Sequence, residues 1–360
     1  MHNYIFLEKT IAKNHNIIFL CGVKYTIDEQ DKRNVLKKFL HDLDSKNNII
    51  ILEENFIFGK SNKNKLSYDD IFMNDLNSVE TLTALFSDLV FIIHESNSTA
   101  AELGIFATNE ILKDKLCLLV PDEFSVEENK ISSFLYLAFF RKKSDIKKIV
   151  FYPSTEVWRS SVYKSNFKTR FLNDEIGQNL AKNIQDVIKK QKTINPNIKI
   201  VRAKFNKHSN DIDVISYMYN RLTRQIDLSI SGDIIKWQVI SLFNIDEFRT
   251  EIRKNKTISE HVTYLVNFYK EALKNTLEYK EGYSIDKVNI IVKGTTLNIR
   301  NIVAYLLYLL QAMNKIEFIQ EGEDPYIRKI RIDNDFNNLY KLYCDFVVAN
   351  VKSTFGGISS

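Results

Sequence analysis

The chain alternates short, unbroken apolar runs with segments whose apolar residues recur three and four positions apart. The runs Asn16–Gly22 (NIIFLCG), Asn48–Leu52 (NIIIL), Leu89–His94 (LVFIIH), Leu116–Val120 (LCLLV) and Ile149–Tyr152 predict five buried strands. Pro121 ends the fourth and Pro153 the fifth. Between them, Ile27–Leu43 sets Val35, Leu36, Phe39, Leu40 and Leu43 at helical spacing. Asp75–Ser87 does the same with Leu76, Val79, Leu82, Thr83 and Phe86. Ser98–Lys113, Ile131–Phe140 and Asp174–Gln191 predict further helices, and the polar stretch Phe58–Asp70 predicts a loop.

Strands without polar alternation, separated by amphipathic helices, predict a parallel sheet covered on both faces. The expected fold class is α/β, with a flavodoxin-like doubly wound sheet that binds ligands beyond the carboxyl ends of its strands. Thr193–Asn197 reads as a linker. Beyond it the texture changes to longer helical patterns: Asp211–Leu228, Asp233–Phe243, Ser259–Thr276 and Asn298–Met313. Lys315–Gln320 and Tyr326–Ile332 then flank a Gly/Pro turn, which predicts a hairpin wing. Helices followed by a wing predict a winged helix-turn-helix. Residues 1–195 are therefore expected to form an α/β domain and residues 196–360 a mainly helical one.

Length agrees with two domains, since 360 residues at roughly 150 per domain leave room for two or three. The 10 Gly, 4 Pro and 12% aromatic residues exclude collagen-like, mucin-like and wholly disordered classes. Cys21, Cys117 and Cys344 lie in or beside apolar runs, which predicts buried free thiols in a reducing compartment. Without a CxxC or HExxH pattern, neither a metal site nor a cofactor is expected. No apolar run approaches the ~20 residues of a membrane span, so a cytoplasmic protein is expected.

Charge changes the picture more than composition does. The net charge is +5, yet residues 141–207 hold 17 Lys/Arg against 5 Asp/Glu. Such a segment suits a polyanion, or forms a solvated helix face. Candidate phosphate contacts are Lys189, Lys190, Lys192, Lys199, Arg202, Lys204 and Lys207, together with Arg328, Lys329 and Arg331 of the wing.

The stretch from Asp88 to Gly104 carries the chemistry. A strand runs into a polar loop and the loop into a helix, with Asn97 and Ser98 as N-cap candidates. Glu102 is expected in or just after the first helical turn, where the helix dipole favours its ionised form. Ala101 and Gly104 would let this helix approach the sheet closely. An ionised carboxylate in a crevice can attack an electrophilic sugar carbon. Ser96, Ser98 and Thr99 at the same helix terminus suit a phosphate. On spacing alone, the simpler reading of Glu102 is an exposed acid that only complements the dipole. Asp88, before the third strand, fits a cap of the preceding helix as well as a catalytic acid. Glu80 and Arg33 read by default as solvated charges. Gly22, after Cys21, allows a ligand close to the backbone.

Phe19-Leu-Cys-Gly22, Glu53/Glu54 after the second strand, Ser87-Asp-Leu-Val-Phe-Ile and Glu95-Ser-Asn-Ser-Thr-Ala-Ala-Glu-Leu-Gly104 together resemble the nucleoside 2-deoxyribosyltransferase-like superfamily. More narrowly, they resemble the effector proteins of bacterial retrons, which add a C-terminal winged-helix domain. The resemblance covers about residues 16–152. It implies that Glu102 is the nucleophile, that Glu80 orients the nucleoside, and that the loop with Glu95, Ser96 and Ser98 lies over the sugar and its phosphate. It further implies a toxin restrained by a reverse transcriptase and its msDNA, released on phage infection, and assembled as a homo-oligomer or larger. Many members have Pro-Gly where this chain has Asn97-Ser98. The Ser133-Phe-Leu-Tyr-Leu-Ala-Phe139 segment lacks the Gly-Pro that others carry. That segment helps build the base pocket, so nucleotide, DNA and NAD all stay open as the substrate, and hydrolysis and transfer as the reaction. The competing expectation is a nucleotide-sensing, DNA-binding regulator without enzymatic activity.

Overall fold

A computed structural model describes residues 4–13, 15–22, 31–57, 62–71, 73, 75–94, 97–122, 148–153, 176–192, 195–205 and 211–340. The chain forms two compact units. One comprises Asn16–Glu54 and Ser87–Ile194; the other comprises Met1–His15, Asn55–Phe86 and Asn195–Ser360. The division is not a single cut, because the chain passes between the units four times.

The first of these units is built on strands β2 (Asn16–Cys21), β3 (Asn47–Ile50), β4 (Leu89–Ile93), β5 (Leu116–Asp122) and β6 (Ile149–Pro153). All neighbours are parallel, in the order β3-β2-β4-β5-β6. Its helices are α1 (Lys32–Leu43), α2 (Leu52–Asn55), α4 (Asn97–Ala107), α5 (Glu110–Lys113) and α6 (Gln178–Lys192). Strand parity sets the two faces. Ile18, Leu20, Phe91, Cys117, Leu119 and Tyr152 pack with Leu36 and Leu40 of α1 and Leu180, Ile184 and Ile188 of α6. Residues of the opposite parity turn the other way, where Phe19 meets Phe106 of α4 edge-on at 6.3 Å. With both faces covered, every residue of β2 and β4 is buried, which explains their unbroken apolar sequence.

Several expectations shift by local chemistry. The segment expected as one helix over 98–113 breaks at Thr108–Asn109, where the Asn109 side chain accepts from Ile111 N and Leu112 N and starts α5. Pro121 does not end β5: the strand runs on to Asp122, with Pro121 opposite Tyr152. Pairing with β4 has already stopped at Leu119, so the proline lies where β5 has only one partner strand. The helix expected over 131–140 lies outside the described residues.

The other unit contains β1 (Lys9–Thr10), α3 (Leu76–Phe86), β7 (Asn197–Arg202), β8 (Val214–Asn220), β9 (Gln225–Ser231), α7 (Gly232–Leu242) and α8 (Asp246–Ile252). It continues with β10 (Lys256–Thr257), α9 (Ile258–Glu281), β11 (Lys287–Lys293), α10 (Ile299–Ala312), β12 (Ile316–Gln320) and β13 (Ile327–Ile332). A mixed five-stranded sheet has the order β1-β7-β8-β9-β11, and a smaller antiparallel sheet the order β10-β13-β12. This unit is therefore α/β rather than mainly helical.

The helix expected over Asp211–Leu228 is instead the antiparallel pair β8–β9. Its β9 strand, QIDLSIS, alternates exposed and buried residues with period two over its first half. The Asn220 side chain accepts from Leu222 N and Thr223 N in the turn, which Arg224 closes at a φ of 49°. The remaining helices fall close to expectation. A capping box between Thr257 and Glu260 opens α9, and Gly282 closes it at a φ of 72°. Helix α10 is buried on almost every side, as an apolar run such as IVAYLLYLL requires. The β12–β13 hairpin forms as its sequence predicts, with β10 added beside β13.

Candidate active site

In the parallel sheet, β3 lies on one side of β2 and β4 on the other, so the connections leave the β2/β4 boundary in opposite directions. Such a reversal opens a crevice at the carboxyl edge. Gly22 follows β2 there, α2 follows β3, and His94 and α4 follow β4.

Glu102 lies in the second turn of α4, just after the first turn as expected. It is half-buried, and its Oε2 is shielded from solvent. An acid that only answered the helix dipole would sit exposed in the first turn, so this placement disfavours the simpler reading. Side chains on a helix lean toward its N-terminus, which for α4 is the crevice end. In the first turn Thr99 is buried and Ser98 exposed. Glu95 and Ser96 lie outside the described residues. The buried face of α4 is Thr99, Leu103 and Phe106, at helical spacing. Ala101 and Gly104 are off that face, and a β-carbon on Gly104 would meet nothing within 4 Å. Close approach of helix to sheet therefore does not explain them.

Arg33 is not a solvated charge. Its exposure is 3%, and Nη1 donates to Glu53 Oε1 at 3.0 Å and Oε2 at 3.2 Å. Its Nε lies 3.7 Å from Asp31 Oδ1, the same oxygen that caps α1 by accepting from Arg33 N. Arg33 also packs on Gly22, where a β-carbon would fall 2.9 Å from Arg33 Cδ. Gly22 thus gives space to this guanidinium stem. Cys21, the last residue of β2, is buried and forms no disulfide. Glu53 remains half-exposed at 46%, so the ion pair faces solvent on the carboxylate side.

Asp88 lies at the other end of β4. It is 2% exposed, its Oδ2 accepts from Ile17 N at 2.8 Å, and its carbonyl accepts from Gln191 Nε2 at 3.0 Å. These bonds fasten the amino ends of β2 and β4, about 16 Å of strand away from the crevice at ~3.3 Å per residue. Asp88 thus ties these strand ends together at the edge of the sheet opposite the crevice. Glu80, on α3, belongs to the other unit and is half-buried.

His94 belongs to no sequence motif. It follows Ile93 at the end of β4, and its N–H donates to Leu119 O at 2.9 Å, which extends the ladder by one bond. The ring is partly buried, and burial lowers its pKa below the usual 6.5. The available signal was position: a titratable residue directly after an apolar strand at the sheet's reversal point. Among the described residues, no group of His, Cys, Asp or Glu could hold a metal ion.

The sequence model of the STM3845 retron effector protein family matches residues 29–270, about two thirds of the chain. The chain belongs to this family. The matched span takes in Arg33, Glu53, His94 and Glu102, while Gly22 and the β12–β13 hairpin fall outside it. No curated protein matches the chain.

In this retron effector the expected phosphate contacts are divided. Lys189 and Lys190 are exposed on α6, which ends at Lys192. Lys199 on β7 and Lys204 are exposed in the other unit, and Lys207 lies outside the described residues. Arg202 is engaged: Nε donates to Glu281 Oε1 at 2.9 Å and Nη2 pairs with Oε2.

Arg328 is not a surface contact. It is 2% exposed and donates to the carbonyls of Pro325, Lys63 and Lys65 at 3.4 to 3.5 Å, while its own carbonyl meets His261 Nε2 at 2.8 Å. Lys329 pairs with Glu321, and Arg331 with Glu317 directly across the hairpin. The hairpin therefore presents balanced charge, not a basic edge. Among the described residues, no helix is long and apolar enough to cross a membrane.

Proposed function

We propose that this retron effector cleaves an N-glycosidic bond of a nucleotide-type substrate (a nucleotide, DNA or NAD) with Glu102 as nucleophile, in a unit of flavodoxin-like, nucleoside 2-deoxyribosyltransferase-like fold. Membership in a retron effector family points to a role in anti-phage defence. The observation that carries the chemical reading is the half-buried Glu102 on the helix that leaves the sheet at its reversal point.

The chemistry follows from that placement. As the C1′–N bond lengthens, positive charge develops on the sugar ring, and a carboxylate on one face stabilises it. Glu102 Oε attacks C1′, and the base leaves with the bonding electron pair. The N-terminus of α4 supplies partial positive charge for a phosphate. Arg33, held by Glu53 and Asp31, keeps a fixed cation at the same edge. In this reading a reverse transcriptase and its msDNA or non-coding RNA hold the protein inactive, and it works as a homo-oligomer or higher assembly.

The test is base release by the purified full chain from NAD, from deoxynucleoside monophosphates and from a DNA oligonucleotide. Glu102→Gln should reduce release by at least ~100-fold with unchanged thermal melting. A Glu102→Gln protein that releases base as fast as wild type would overturn the reading.

A further inference from the structure

We infer that His94 is the general base that activates water in the second half of the reaction, releasing the sugar from Glu102; this rests on the reading of Glu102 as nucleophile.

Three observations lead there. First, the residue is held by the sheet and not by a loop: its N–H closes a ladder bond to Leu119 O, so its backbone position is fixed at the carboxyl edge of β4. Fixed elements hold reacting groups more closely than loops do. Second, Nδ1 is buried and has no hydrogen-bond partner among the described residues. A buried polar atom left in that state is costly, and a bound water or substrate group would relieve the cost. Third, burial favours the neutral ring, which keeps one nitrogen free of a proton at neutral pH.

The reaction requires such a group. Once Glu102 has displaced the base, the sugar is held by an ester bond from C1′ to the carboxylate. Water must then attack C1′. Its oxygen forms the new C1′–O bond while the bond to Glu102 breaks, and the electron pair returns to the carboxylate. One proton of the water has to leave, and His94 accepts it before passing it to solvent. Three of the described carboxylates near this edge are poorly suited. Glu53 and Asp31 are engaged by Arg33, and Glu102 is consumed as the ester.

The experiment is rapid-quench analysis of the full chain with whichever of the three probes above wild type turns over. His94→Gln and His94→Asn should both release about one equivalent of base per site and then turn over at least ~100-fold more slowly than wild type, as expected for loss of a general base. Intact-mass measurement should find the sugar attached to the protein. Sodium azide, an anion that attacks without a base, should restore turnover. Wild-type turnover in both variants would overturn the inference and leave the Glu102 reading standing. So would loss of the first equivalent together with turnover, which is what misfolding or a structural role gives, and so would slow turnover without an attached sugar. If wild type releases no base from any probe, or Glu102→Gln matches wild type, the Glu102 reading falls and the assignment of His94 falls with it.

Discussion

Gly22 and Arg33 touch so closely that a β-carbon at position 22 would lie 2.9 Å from Arg33 Cδ and 3.2 Å from both Cγ and Nε. The arginine is buried and tied to Glu53, so its stem can move only by disturbing that pair. Gly22→Ala should destabilise the parallel-sheet unit by about 1–3 kcal/mol, the usual cost of overpacking. Urea unfolding measures this directly. An alanine protein with an unchanged midpoint would show that the guanidinium is not confined.

A second prediction concerns an ion pair inside the other unit. Lys236 is fully buried; its ammonium lies 3.1 Å from Asp233 Oδ1 and donates to the Phe86 carbonyl at 2.7 Å. Asp233→Asn or Lys236→Met alone leaves a buried charge without its counterpart and should cost about 3–5 kcal/mol. The double variant Asp233→Leu/Lys236→Met should cost clearly less than the sum of the singles. Chemical denaturation of the three proteins gives the coupling, and strict additivity would refute it.

Acid should weaken the same unit through Glu281. The Arg202 hydrogen bonds hold its carboxyl down at about 2 against the usual 4.5; burial opposes this, and Tyr217 and Tyr283 add further lowering. The folded-state pKa lies below the unfolded one. The stabilisation is therefore complete above about pH 4.5 and fades as pH falls toward 2. Arg202 is 39% exposed, so solvent screening reduces the effect to at most about 1 kcal/mol. Glu281→Gln should lower stability at pH 7 by that amount and flatten the profile between pH 4.5 and 2. Unfolding free energies at pH 7, 4.5 and 3 provide the check, and parallel profiles would count against it.

Charge pairing predicts which cations contact nucleic acid. If duplex DNA binds, Lys189→Gln and Lys199→Gln should each reduce the slope of log K against log salt by ~0.9. Lys329→Gln and Arg331→Gln should leave it unchanged, because Glu321 and Glu317 already neutralise them. Fluorescence anisotropy at several salt concentrations distinguishes the two groups. Hairpin variants with the larger loss of slope would reverse the assignment.

The parallel strands could be read from the chain because a buried two-faced strand needs apolar residues at every position, and few other settings demand that. The hairpin of Ile316–Gln320 and Ile327–Ile332 was equally readable, since its turn residues lie within one short segment. Glu102 could be located through the loop-to-helix transition that precedes it. The hairpin at 214–231 is hidden in the sequence because alternating Ile, Tyr and Leu over a few residues also fits a helical face. Arg33 and Arg328 read as surface charges because part of their partner set is distant: Glu53 is 20 positions away, and Lys63 and Lys65 more than 260.

The amino-acid sequence by itself determined the element types wherever local periodicity admits one solution, and the position of the acid on its helix. Only the tertiary structure decided which end of a strand Asp88 occupies relative to the crevice, which cations are already neutralised, and that residues 1–15 and 55–86 join the unit formed by the chain after 195. The reason is physical. Backbone periodicity is set by neighbours within a few residues, whereas burial and charge pairing depend on partners that meet only once the chain has folded.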